Sequence, residues 1–124
     1  MKKIFLMFAL FLVMLLSGCA VPYQTIEGYI DYTMYTDNGF FVTESDAVPF
    51  EYNGVGSLYV INLDGYESGV YKRASFQDAV TKLVEKAMLN KADGLIKLSV
   101  QTYYDQGYKR NGCYATGMAI KKKK

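Results

Sequence analysis

Ser75-Phe76-Gln77-Asp78-Ala79-Val80-Thr81-Lys82-Leu83-Val84-Glu85-Lys86-Ala87 decides the fold class. Phe76, Ala79, Val80, Leu83, Val84 and Ala87 recur at three- and four-residue spacing, and Gln77, Thr81, Lys82, Glu85 and Lys86 fill the other face. That is the pattern of an amphipathic helix. Ser75 suits the N-cap and Asp78 the positive helix start. Asp78 and Lys82 form an (i, i+4) pair that adds a few tenths of a kcal/mol at most. The helix is expected to stop near Asn90 or Lys91, one of them taking the left-handed C-cap conformation.

Strand patterns flank this helix. Downstream, Leu95 to Tyr104 alternates, with Ile96, Leu98, Val100 and Thr102 expected on one face and Lys97, Ser99 and Gln101 on the other. Asp105 to Gly112 reads as a polar loop. Cys113 to Ile120 reads as the last strand, its faces differing in size: Tyr114, Thr116, Met118 and Ile120 against Cys113, Ala115, Gly117 and Ala119. A row of small residues lets a helix approach a sheet closely, so the helix belongs over that row. Upstream, Ser57 to Leu63 reads as a strand entered through Gly54 and Gly56, and Glu44 to Asn53 as a loop with Pro49. Tyr29 to Thr36 and Phe40 to Thr43, joined by Asp37-Asn38-Gly39, predict a hairpin, because Asn-Gly tolerates positive φ. The expectation is an α+β fold: a single small domain, a mostly antiparallel β-sheet with one main amphipathic helix packed on one face.

Composition narrows the function classes. Lys2 and Lys3 sit in an apolar leader, so the remaining 12 basic residues balance 12 acidic ones. Four of the basic residues are Lys121 to Lys124. A nucleic-acid binder shows a basic face on its folded body, which this composition does not supply, so no nucleic-acid partner is expected. There is no His or Trp, and all 12 tyrosines lie beyond the leader. Tyrosine suits half-buried sheet surfaces, where the ring packs and the hydroxyl stays wet.

The leader itself is specific. Met1-Lys2-Lys3 precedes thirteen unbroken apolar residues, Ile4 to Leu16, followed by Ser17-Gly18-Cys19. A charged start, a short apolar run and small residues before a cut describe a secretory signal. Thirteen helical residues rise about 20 Å, short of a hydrocarbon core of about 30 Å. The segment resembles a bacterial lipoprotein signal. That resemblance implies cleavage between Gly18 and Cys19, a diacylglycerol on the Cys19 thiol and a further acyl chain on its new amine. The expected organisation is a signal peptide over 1–18, a lipidated tether over 19–27, the domain over 28–120 and a Lys tail over 121–124. Ala20 after Cys19 favours the outer membrane under the common sorting rule, with the domain facing the periplasm. With Cys19 acylated, Cys113 is the only thiol left and no intramolecular disulfide is possible.

The second half also resembles known domains, over about residues 74–121. The helix, then Lys91-Ala92-Asp93-Gly94-Leu95-Ile96, then a strand, a glycine-containing loop and Thr116-Gly117-Met118-Ala119-Ile120-Lys121 is similar to the YbjQ-like family of small domains. Lys91 stands where that family often has glycine. Gly112-Cys113-Tyr114 is similar to a Gly-Cys-Tyr of the RcsF-like outer-membrane lipoproteins, whose corresponding turn reads Lys-Ala-Asn-Ala. The resemblance implies a small α+β sandwich. YbjQ-like members are often labelled heavy-metal-binding and form ring-like homo-oligomers; RcsF-like ones signal envelope damage through protein partners. RcsF-like disulfides have no counterpart, because the partner thiols are missing.

The candidate chemistry is sparse. Transition metals need converging soft or imidazole ligands and hard cations need clustered carboxylates. Asp31, Asp37, Glu44, Glu51, Asp64 and Glu67 are scattered among turns, so no metal site is expected. A catalytic Cys needs a base, and the chain has no His. Cys113 is expected to be a packed thiol, the alternative being a redox or contact thiol. Tyr29, Tyr32, Tyr35, Tyr103, Tyr104 and Tyr108 are the candidate contact surface, against the alternative of a tyrosine-rich sheet packing on itself. Lys121 to Lys124 either touch anionic head groups or form a solvated tail. No catalytic residue and no cofactor are assigned. The expected function is a lipid-anchored, non-enzymatic envelope protein acting through protein contacts, with an envelope partner or self-association. The alternative is a small-molecule or metal-ion binding module.

Overall fold

The computed structural model describes residues 2–17 and 21–124. Its elements in chain order are α1 (Lys2–Ser17), α2 (Thr33–Thr36), β1 (Phe41–Val42), β2 (Tyr52–Leu63), β3 (Gly65–Glu67), β4 (Val70–Lys72), α3 (Phe76–Leu89), β5 (Gly94–Asp105) and β6 (Arg110–Lys122). Four strands form one sheet in the order β1-β5-β6-β2; β3 and β4 form a separate two-stranded ribbon. Only the short β1–β5 pairing is parallel. The fold is α+β, as the patterning required.

The main helix begins as its sequence dictates. The Ser75 side chain accepts the Asp78 amide at 3.0 Å, closing the first turn. Ala79, Val80, Leu83, Val84 and Ala87 are buried along one stripe. The helix ends in a Schellman arrangement: Ala92 N–H donates to Ala87 O, Lys91 N–H to Met88 O, and Lys91 takes φ 60°. The stripe packs over the small-residue row of β6, with Cys113, Ala115 and Ala119 in the same core cluster. Each helix carbon can approach the sheet there because nothing bulky stands up between them.

β5 departs from simple alternation. Its register with β6 shifts between Ile96 and Ser99, and Lys97 takes φ 54° at the shift. One extra residue inverts the parity of the strand. Leu95, Leu98 and Val100 therefore face the helix, whereas Ile96 pairs with Met118 and lies on the opposite face. The expected shared face of Ile96, Leu98 and Val100 is corrected by this bulge. A second bulge, between Gly54 and Gly56, lets β2 begin at Tyr52, inside the stretch expected to be loop.

The expected hairpin over 29–43 does not form. Residues 33–36 make a helical turn, and Gly39 at φ 83° ends it: Phe40 N–H donates to Tyr35 O at 3.0 Å and Gly39 N–H to Thr36 O at 2.9 Å. The left-handed glycine that would have turned a hairpin serves here as a helix stop. A type I′ turn needs positive φ at both central residues, and Asn38 does not adopt it; its side chain instead donates to Met34 O at 2.8 Å. The two-residue turn of that kind lies at Ser68 (φ 52°) and Gly69 (φ 81°), joining β3 to β4.

Residues 121–124 are not simply a tail. Lys121 and Lys122 pair with Asn53 and Tyr52, and the Lys123 amide donates to Glu51 O at 2.9 Å. Among the described residues no helix is long and apolar enough to cross a membrane.

Candidate functional site

Helix α3 covers only one face of the sheet. The other is built from alternate residues of β2, β6 and β5, set in register: Tyr59 opposite Thr116, Ile61 opposite Tyr114, Gln101 opposite Tyr114 and Ser99 opposite Thr116. At one end this outer face is closed. Phe50, on the loop after β1, meets Phe41 edge to face at 5.6 Å, and Ile96 and Ile120 are fully buried there. Beyond that end it is open. Tyr59 is 61 % exposed, Ile61 40 % and Tyr103 38 %. The rings of Tyr59, Tyr114 and Tyr103 follow one another across the three strands, each step 6.5 Å between centres. Tyr59, Tyr114, Thr116, Met118 and Lys97 line a groove of about 370 Å³.

A second depression, of about 400 Å³, separates the β3–β4 ribbon from α3. Its walls carry both signs of charge, and Lys72 pairs with Glu67 at 3.7 Å and with Asp78 at 4.0 Å. These exposed pairs hold the ribbon loosely.

The chain enters the domain along α3. The Gln77 side chain grips the Asp31 backbone from both sides, accepting its N–H at 2.8 Å and donating to its C=O at 3.0 Å. Gln77 also donates to the Tyr35 hydroxyl at 2.9 Å, and that hydroxyl lies 2.6 Å from Thr81 Oγ1. The Asp31 carboxylate accepts from both the backbone and the hydroxyl of Thr33, and these bonds, the hydroxyl first, hold it below the usual carboxylate range. Residues 26–30 border a further pocket of about 520 Å³ with Glu44, Phe76 and Val100.

The six tyrosines expected to form a contact surface do not share one. Tyr35 is core. Tyr32 is half-buried and its hydroxyl donates to Glu44 at 3.2 Å; burial, then the Glu44 charge, pushes the phenol up to about 12. Tyr29 is exposed beside the entering chain. Tyr104 takes the helix side of β5 by register, and Tyr108 stands at the hairpin tip with the Arg110 guanidinium 5.1 Å from its ring. Only Tyr103 lies on the outer face. Its companions there, Tyr59 and Tyr114, were missed, although the large-residue face of the last strand, with Tyr114 in it, was legible. Cys113 is buried in the small-residue row under α3. Burial, followed by the Asp64 and Asp78 charges, pushes its thiol up, which suits packing better than reactivity. Gly18 and Cys19 lie outside the described residues. Among the described residues no three His, Cys, Asp or Glu side chains converge as a metal site would require.

The Lys121–Lys124 run sits where β6 ends, beside the C-terminal end of α3, because Asp93 N–H donates to Ile120 O and the Asp93 carboxylate accepts the Lys122 amide. The entering chain meets α3 at its first turn. The two therefore lie at opposite ends of a 14-residue helix, roughly 21 Å apart along its axis.

The fold is similar to that of a protein of unknown function from Pediococcus pentosaceus ATCC 25745, of the DUF74 family, whose crystal structure was determined at 2.73 Å resolution. The TM-score is 0.51, with 20 % identity, over 68 % of this chain and 99 % of that one. At that identity the likeness is one of fold alone. No family model matches the chain, and no curated protein sequence does.

Proposed function

We propose that the chain is a lipid-anchored protein of the bacterial cell envelope that acts by contact with another protein. The anchor reading rests on Leu16-Ser17-Gly18-Cys19 after a short apolar run, and the outer-membrane reading on Ala20 at the next position. The observation that carries the contact reading is the half-covered sheet. One face is sealed by α3; the other leaves Tyr59, Ile61 and Tyr103 in solvent beside the half-buried Tyr114 and Met118. Contiguous apolar surface of this kind is expensive to leave wet and marks a site of association. The groove is open along the sheet rather than closed around a small molecule, which favours a macromolecular partner.

Two measurements test this reading. Mass analysis of the mature protein should find Cys19 as an acylated N-terminal residue, and Cys19→Ala should leave an unprocessed, unacylated chain. An intact leader or a bare Cys19 in the wild type overturns the anchor. For contact, a photo-crosslinking residue at position 59 in intact cells should capture a protein, whereas the same residue at position 85, on the exposed side of α3, should not. Equal capture from both positions, or none from position 59, removes the assigned role from this face.

A further inference from the structure

We infer that the outer sheet face takes an acidic, extended protein segment. The inference depends on the contact reading above and adds the chemistry of the occupant. Lys97 is the one charged residue lining the groove, and its left-handed backbone on the β5 bulge leaves it exposed beside Met118 and Thr116. Lys86 brings its ammonium 5.8 Å from the Tyr59 ring centre. Lys122, at the closed end of the face, stands 4.9 Å from the Phe50 ring. None of these three ammoniums makes an ion pair among the described residues. The carboxylate that register puts on this face, Asp105, is already bonded to Arg110 at 3.1 Å. The face thus presents positive charge set among aromatic rings, with its own acid occupied.

Tyr59 to Tyr114 and Tyr114 to Tyr103 are each 6.5 Å between ring centres. An extended chain repeats its same-side residues about every 6.6 Å. Alternate apolar side chains of an extended segment laid across the strands would each meet one ring, and carboxylates flanking that run would find Lys97 and Lys86. Complementary charge of this kind selects the partner and speeds encounter.

Fluorescence anisotropy on the full chain in detergent tests this, with a labelled peptide of alternating valine and serine flanked by glutamates as probe and the same peptide flanked by lysines as control. The glutamate peptide should bind, weaken steeply with salt, and lose about ten-fold in affinity on Lys97→Glu. Lys97→Asn removes the charge while tolerating positive φ, and should lose about three-fold. Lys82→Glu, on α3, should change affinity less than about two-fold. Equal binding of both peptides, equal losses from Lys97→Glu and Lys82→Glu, or uptake by phosphatidylglycerol vesicles through Lys97 without peptide binding would each overturn the inference. Crosslinks from position 59 to segments poor in Asp and Glu would also overturn it and leave the contact reading standing, whereas absence of any crosslink removes the contact reading itself.

Discussion

Replacing Gln77 with leucine should free residues 29–36 from α3 and leave the sheet intact. Leucine matches glutamine in size and cannot bond. The substitution removes the two bonds to the Asp31 backbone, at 2.8 and 3.0 Å, and the 2.9 Å bond to Tyr35. Tyr35 keeps its 2.6 Å partner Thr81, so the loss falls on the Asp31 pair. Each such bond contributes about 0.5–1.5 kcal/mol net, and Asp31 is open enough for water to replace part of it, so the loss is about 2 kcal/mol. That corresponds to roughly thirty-fold more frequent opening of the segment. Amide hydrogen exchange reads this directly, under conditions where exchange follows the opening equilibrium. The amides of Asp37 and Phe40, which donate to Thr33 O and Tyr35 O, should exchange about thirty-fold faster. Amides of β6 should change less than about two-fold. If the segment keeps its protection, or if β6 loses protection in the same proportion, Gln77 does not clasp the segment to α3.

Three further outcomes follow from particular atoms. Gly112→Ala would set a Cβ 2.6 Å from Asn62 O and 2.7 Å from Leu63 Cδ2, so β2 and β6 must part; a loss of about 2–3 kcal/mol is expected by thermal denaturation, and a melting temperature no lower than that of Gly56→Ala, where the added carbon meets nothing, would contradict it. Lys91→Gly should stabilise: a left-handed lysine costs about 1–2 kcal/mol and glycine's looser unfolded chain returns about 0.4–1, leaving a gain of about 0.5–1 kcal/mol read as a higher denaturant midpoint at unchanged slope. An unmoved or lower midpoint argues against strain at this cap. Tyr32 holds its proton more tightly folded than unfolded, about 12 against 10.0. Its contribution is therefore complete below pH 10 and fades as pH rises through about 12. A phenolate absorbance step near pH 12 should vanish in Tyr32→Phe; a wild type with no such step refutes the burial of Tyr32 beside Glu44.

The elements legible in the sequence are those fixed by neighbours. The α3 stripe, its Ser75 cap and its left-handed stop near Lys91 are decided within a few residues, and they stand where the pattern placed them. The small-residue row of β6 was legible because alternation alone separates Ala115 and Ala119 from Tyr114 and Met118. What was not legible depends on distant partners. Asp37-Asn38-Gly39 is compatible with a hairpin or a helix stop, and the choice goes to the helix because Tyr35 buries its ring and finds Thr81, 46 residues away. Lys97 carries no local sign of positive φ, yet that one residue inverts the faces of β5. The outer aromatic row joins Tyr59 to Tyr114, an association created only by strand register.

The path of residues 29–43 also governs how an anchored domain could work. By folding against α3 and pairing with Gly94 and Leu95, this segment covers the helix flank and the β5 edge, and leaves the outer tyrosines bare. On the proposed reading, residues 20–27 are the leash, and eight residues reach at most about 29 Å. A domain of this size has a radius of gyration of about 13 Å. The leash is then long enough for either face to turn toward the bilayer. Anchoring would confine the domain near the membrane without orienting it, so on that reading the choice of partner would fall to the outer face itself, through its tyrosine spacing and its lysines.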